Sequence, residues 1–159
     1  MKILDACCGS RMFWFDKENP LVTFNDVRTL ETELCDGRKF SVKPDTLFDF
    51  REMGFNNEEF DGVVFDPPHF KSLGQKSYTA IKYGVLNPET WENDLKSGFE
   101  ECFRVLKDNG FLIFKWNEHQ ILTSKVLKLS PYKPLIGHKS GKASKTHWVL
   151  FIKNDTLKV

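Results

Sequence analysis

Apolar residues in this chain gather into short runs separated by polar, glycine- and proline-bearing segments, and the runs alternate between strand and helix character. Met1 to Ala6 reads as a first strand, Leu21 to Asn25 as a second with β-branched and aromatic content, and Lys39 to Pro44 as a weaker third. Asp61-Gly62-Val63-Val64-Phe65 is a compact buried-strand signal. Asp66-Pro67-Pro68 must end it, because proline donates nothing to a β-ladder. Asn87-Pro88-Glu89-Thr90 supplies a helix N-cap, a first-turn proline and a first-turn acid, which predicts a helix to about Leu106. Within it Trp91, Leu95, Phe99, Cys102, Phe103 and Leu106 recur at spacings of three and four, giving one apolar face. Asp108-Asn109-Gly110 turns the chain into a strand at Phe111 to Trp116. Ile121 to Leu129 reads as a short helix, and Leu135 to Gly137 and His147 to Lys153 as closing strands. Met12 to Lys17 fits a short helix or an irregular segment.

Strands alternating with helical segments predict an α/β fold: a doubly wound, mostly parallel, seven-stranded sheet with helices on both faces. Such sheets bind ligands beyond the carboxyl ends of their strands, near the reversal in strand order. Asp5, Asp26, Asp49 and Asp66 each follow a candidate strand, so four carboxylates are expected on one rim.

Composition narrows the setting more than the chemistry. The 159 residues fit a single domain, 1–159, with one sizeable core. Lys and Arg total 23 against 22 Asp and Glu, so the whole molecule exerts no strong pull on nucleic acid or on an acidic membrane. Cys7, Cys8, Cys35 and Cys102 lack the spacing of a zinc site or a disulfide framework and read as reduced thiols; no metal is expected. No leader and no membrane-spanning apolar run is visible, and the expectation is a cytoplasmic protein without membrane contact.

The first rim segment carries the ingredients of an adenosyl site. Gly9 allows a close approach of backbone to ligand after Asp5-Ala6-Cys7. Asp26, about twenty residues on, is placed to accept from ribose hydroxyls, as the acid of dinucleotide-binding folds does. Asp49 with Phe50 follows in the position to hold an adenine ring. The missing GxGxxG and the Asp-Pro-Pro argue against a nicotinamide cofactor.

In order and spacing, Leu4 to Arg11, Asp26, Asp49-Phe50 and Asp66 to Phe70 resemble the four motifs of a class I S-adenosylmethionine-dependent methyltransferase, over nearly the whole chain. Cys7 and Arg11 stand where that family's loop has glycine. Asp66-Pro67-Pro68-His69-Phe70 is similar to the Asp/Asn/Ser-Pro-Pro-aromatic motif of amino-directed methylases, with His69 in the aromatic place and Phe70 next to it. The whole chain is similar to compact methylases of bacterial and phage genomes. The resemblance implies S-adenosylmethionine as cofactor, held by Asp5, Ala6, Cys7, Gly9, Asp26, Asp49, Phe50 and Asp66, with S-adenosylhomocysteine as product. It implies a catalytic set of Asp66, Pro67, Pro68, His69 and Phe70: Asp66 and the Pro67 carbonyl accept from an amino group, and an aromatic ring stacks on the planar substrate. His69 either stacks or takes the product's proton.

Residues 71–86 lack periodicity and are expected to form a lid, with Lys71, Lys76 and Lys82 interleaved with Tyr78 and Tyr83. A second basic loop spans 137–147 and includes Lys139, Lys142 and Lys145. Three readings follow. The first is methylation of a nucleobase amino group, adenine ahead of cytosine, in DNA or RNA, with specificity drawn from a partner or a second copy. The second is methylation of a protein glutamine or a small-molecule amine or amide. The third is a non-catalytic binding module with a nucleotide fold.

Overall fold

The computed structural model describes residues 1–34, 36–74, 77–141 and 143–159; Cys35, Lys76 and Lys142 of the sequence reading lie outside the described residues. Among the described residues eight strands form: β1 (Ile3–Asp5), β2 (Val22–Phe24), β3 (Leu30–Glu33), β4 (Lys39–Val42), β5 (Phe60–Phe65), β6 (Leu106–Asn117), β7 (Ile136–Lys139) and β8 (Thr146–Ile152). Three α-helices accompany them: α1 (Tyr78–Tyr83), α2 (Trp91–Val105) and α3 (Thr123–Val126), the last running on into a 3-10 turn at Leu127–Leu129.

Six strands make the main sheet, in the order β2-β1-β5-β6-β8-β7. β2, β1, β5 and β6 run parallel to one another, and β8 is antiparallel to both β6 and β7. The expected seventh strand, Lys39 to Pro44, leaves this sheet and pairs antiparallel with Leu30–Glu33 as a separate hairpin. Only the bridge Asn25↔Thr46 continues the sheet beyond β2. Asn25 makes that junction firm. Fully buried, its amide donates to the Ala6 and Phe48 carbonyls and accepts from the Thr46 hydroxyl and Phe48 N–H, which uses both ends of the side chain.

The core follows from strand alternation. Register aligns Leu4, Val63, Leu112 and Phe151 in one row and Phe65, Phe114 and Val149 in the next, all buried. Helix α2 lies on this face, with Phe99 packing its ring against Phe65, Phe114 and Phe151 at centroid distances of 5.5, 4.9 and 6.0 Å. Its first residue is Trp91, three residues past the proline; Asn87 caps the preceding turn by accepting from Glu89 N–H.

Strand order reverses at β1, with β2 on one side and β5 and β6 on the other. Right-handed crossovers therefore place the β1–β2 connection on the face opposite α2. Among the described residues the expected helical cover of that face is absent: residues 6–21 form turns and bends without regular structure, as do those of the stretch 27–59 outside the hairpin and the isolated bridges at Thr46, Asp49 and Glu52. Its sequence explains this, since Arg11 takes a left-handed φ of 57° and Pro20 closes the segment, which leaves no room for a helical stripe. The rows Phe111, Ile113, Leu150 and Ile152 on this face remain half-buried.

Gly98 on α2 leaves no space for a side chain. A Cβ there would sit 2.7 Å from the Phe50 ring and 2.8 Å from the Phe65 ring. Gly98→Ala is expected to destabilise the protein by about 1–2 kcal/mol in urea unfolding, because overpacking outweighs the roughly 1 kcal/mol gain in helix propensity.

Candidate active site

At the strand-order reversal, beyond the carboxyl ends of β1 and β5, a cleft of about 480 Å³ opens. Its size is that of a small-molecule site. On one side the chain leaves β1 through Ala6, Cys7 and Cys8, tied to the sheet by Ala6 N–H to the Val64 carbonyl and Cys8 N–H to the Asn25 carbonyl. Gly9 then adopts φ 50°, a left-handed value that a side chain resists, and its N–H donates to Asp26 Oδ2 at 2.9 Å. Arg11 turns out of the cleft. Its guanidinium donates to the Lys17 and Lys43 carbonyls and lies 3.9 Å over the Phe24 ring, so Arg11 braces the crossover and leaves the cleft open.

Asp26 braces three segments. Besides Gly9, it accepts from Arg28 N–H and lies 3.6 Å from the Arg28 Nε. Arg28 in turn donates to the carbonyls of Ile81 and Lys82 at the end of α1. The segment expected as a lid thus contains a short helix, closed over the cleft by an arginine fifty residues away. Lys82 and Tyr83 line the cleft; Tyr78 packs on the hairpin cluster of Leu34, Phe40 and Val42, and Lys71 lies 5.7 Å over Trp91. Asp49 is engaged by Arg51 through both carboxylate oxygens, which holds its pKa below the usual range, and Arg51 reaches on to Asp94. Phe50 beside it lines the cleft and tilts against Phe65.

The opposite wall begins at Asp66. Its Oδ2 accepts from Lys115 Nζ at 3.0 Å, while Oδ1 is buried without a partner among the described residues. Burial pushes this carboxyl up to about 6 against the opposing pull of Lys115. Lys115 Nζ also sits over three rings, Phe13 at 4.6 Å, Tyr83 at 5.6 Å and Trp148 at 5.9 Å.

Of the residues singled out from sequence, Ala6, Cys7, Gly9, Asp26, Asp49, Phe50, Asp66 and Pro68 line the cleft together. Asp5, Pro67, His69 and Phe70 stand behind its wall. His69 is 5% exposed in a ring cluster with Phe70, Tyr83 and Trp116, and burial, aided by Lys115, lowers it to about 4. Arg28, Arg51 and Phe13 escaped the sequence reading, and Lys115 is read there only as the start of the Lys115-Trp116-Asn117-Glu118-His119 run at a strand end facing this rim, with no role of its own. Its trace is that of a cation in the alternating apolar run Phe114-Lys115-Trp116.

The basic loop lies on the same rim. Asn117 pairs with Thr146, so the link between β7 and β8 emerges at the carboxyl end of β6, on the Asp66 side of the reversal. Lys139 and Lys145 are exposed there, near Glu118 and His119 respectively.

No protein-family model matches the chain, and no curated protein matches it. Solved structures do. A Pyrococcus horikoshii protein superposes with a TM-score of 0.62 at 16% identity, covering 96% of this chain and 81% of its own. A Methanosarcina mazei S-adenosylmethionine-dependent methyltransferase gives 0.56 at 12% identity, covering 96% and 92%. The chain has the fold of the S-adenosylmethionine-dependent methyltransferases. A further example is 1,6-didemethyltoxoflavin-N1-methyltransferase of Burkholderia thailandensis, solved with 1,6-didemethyltoxoflavin and S-adenosylhomocysteine, with a TM-score of 0.54 at 11% identity, covering 96% of this chain and 71% of its own. Among the described residues no helix is long and apolar enough to cross a membrane.

Asp5 offers a direct check on the electrostatics of this rim. It is fully buried, accepts from Trp14 Nε1 at 2.8 Å, and is pushed up to about 7 by that burial, which outweighs the hydrogen bonds that oppose it. A folded-state pKa above the unfolded value means that the native chain binds the extra proton, so stability falls as pH rises from about 4 to about 7. Asp5→Asn is expected to be near-neutral at about pH 4 and to gain a few kcal/mol over the wild type at pH 8, at about 1.4 kcal/mol per pKa unit, in urea unfolding at the two pH values.

Proposed function

We propose that this chain is an S-adenosylmethionine-dependent methyltransferase that modifies an exocyclic amino nitrogen of a nucleobase in DNA or RNA, adenine ahead of cytosine. The fold and the cleft at the strand-order reversal support the cofactor. A Cβ at Gly9 would meet only the Lys82 carbonyl, at 3.9 Å, so the turn offers the open approach that an adenosyl group needs. In this reading Ala6, Cys7 and Gly9 form the floor, Asp26 keeps lone pairs for ribose hydroxyls, Asp49 and Phe50 flank the adenine, and Asp5 stiffens the loop through Cys7 N–H. The chemistry supplied by the cofactor when bound is an electrophilic methyl group, released from its sulfur as the new nitrogen–carbon bond forms.

The observation that carries the acceptor assignment is Asp66 Oδ1, a buried carboxylate oxygen without a partner among the described residues, in a residue that lines the cleft. An acceptor N–H satisfies it, and that contact draws the nitrogen lone pair out of conjugation and aims it, while Pro67, the second acceptor of the motif, stands behind the wall. The proton lost from nitrogen passes to Asp66, whose burial makes it a stronger base than a solvated aspartate. His69, held neutral, supports the wall with Phe70, and Tyr83 and Phe13 present rings at the cleft for a planar acceptor. Exposed Lys139 and Lys145 on the acceptor rim supply cations for phosphates. A second reading, a small heterocyclic amine or amide, draws on the likeness to the Burkholderia enzyme, and a protein glutamine would offer Asp66 the same N–H.

Incubation with methyl-labelled cofactor and total DNA, total RNA and protein side by side tests the acceptor class. Label is expected in a nucleic-acid fraction, falling steeply between 50 and 200 mM salt in the manner of phosphate contacts, roughly 10-fold or more. Label in protein alone would contradict the nucleic-acid reading. Asp66→Ala is expected to retain S-adenosylhomocysteine binding and to lose at least about 100-fold in transfer, the scale of a lost positioned base. Because the ionised carboxylate is the working form, wild-type transfer should rise with pH through about 6.

A further inference from the structure

Lys115 sits in a box that is itself a cation receptor. The buried carboxylate of Asp66 forms one side at 3.0 Å, and the rings of Phe13, Tyr83 and Trp148 surround the ammonium at 4.6–5.9 Å. An aromatic cage with a carboxylate is the arrangement that recognises alkylammonium groups. The three rings come from the β1–β2 crossover, the end of α1 and β8, so segments far apart in sequence converge on one positive charge. The side chain is 15% exposed and lines the cleft, and only one of its three N–H groups has a carboxylate partner.

We propose that Lys115 is a built-in occupant of this cage and sets acceptor selectivity: it fills the place that a cationic amine would take, so the site accepts a neutral amino nitrogen and rejects alkylammonium groups. This rests on the reading that Asp66 faces the acceptor. With the cage filled, two complementary contacts remain for a substrate: Asp66 Oδ1 takes an N–H, and a free Lys115 N–H donates to a neighbouring acceptor atom. A neutral amino group conjugated to a ring nitrogen, as on the pairing edge of an aminated nucleobase, offers that pair side by side. An alkylamine, protonated at neutral pH, offers only donors and brings a second positive charge against Lys115. Lys115 also keeps Asp66 orientated with Oδ2 engaged, which leaves Oδ1 as the free oxygen.

The cage is tested apart from turnover. Tetramethylammonium chloride is titrated calorimetrically into the wild type and into Lys115→Ala, each checked for its fold by circular dichroism. The emptied cage is expected to bind this ion at least tenfold more tightly than the wild type does, and adding Asp66→Asn to Lys115→Ala should abolish the gain. Equal binding by both proteins, or none by folded Lys115→Ala, would overturn the proposal. A second measurement needs only the wild type: labelled methyl transfer to an adenine- and cytosine-containing oligonucleotide against transfer to spermidine. At least a hundredfold preference for the oligonucleotide is expected, and a preference for spermidine would refute the selectivity role. Absence of label in every acceptor would count against the methyltransferase reading itself, while the tetramethylammonium titration would still decide the cage.

Discussion

The carboxylate of Asp26 holds the cleft together. It accepts the N–H of Gly9, where the backbone turns left-handed, and it fixes Arg28, which reaches the last carbonyls of the short lid helix. One side chain at the end of β2 thereby couples the loop after β1 to the segment that covers the site. Asn25, its neighbour, performs the complementary task within the sheet by tying β2 to the Thr46–Phe48 strand-like segment. Without these two residues, the crossover and lid would lack their main polar anchors, because neither is held by a helix packed on the sheet.

The opposing constraint is desolvation. Asp5 and Asp66 end adjacent strands in a low-dielectric rim and both resist ionisation, the first with Trp14 as its main partner and the second with Lys115. Packing a full helix over the second sheet face was not needed to create this environment. The aromatic content of the crossover does it instead: Trp14 reaches Asp5, and Phe13 reaches both Lys115 and Trp148. The rim is therefore set apart from solvent beside Asp66 by rings, and beside Asp26 by the segment that carries α1.

Much of this was legible in the sequence where local pattern and burial agree. β1, β5 and the Phe111 to Trp116 part of β6 are apolar runs in the sheet, and α2 carries an apolar stripe; these positions could be read directly, whereas the first residues of β6, with exposed Lys107, Asp108 and Asn109, read as a turn. Leu30–Glu33 could not be read, because it pairs only with Lys39–Val42 in the hairpin and presents alternating exposed acids, so nothing in its composition marks it as a strand. The lid helix was hidden for a related reason: its six residues bury none of their side chains fully, and its closing contacts come from Arg28. Single cations that act through backbone carbonyls or through a distant carboxylate leave no periodic signal, which is why the roles of Arg28, Arg51 and Lys115 emerged only in three dimensions. His69 illustrates the converse. Its motif position was plain, yet packing placed the ring behind the cleft wall.

Both halves of the functional account require that the cleft at the β1–β5 reversal admit an adenosyl cofactor. Calorimetric titration of S-adenosylhomocysteine into the full chain measures this directly. The account predicts a one-to-one heat of binding that is weakened about 10- to 100-fold by Asp26→Ala, the range expected for lost hydrogen bonds to a charged group. No heat at millimolar ligand in the folded wild type would contradict it.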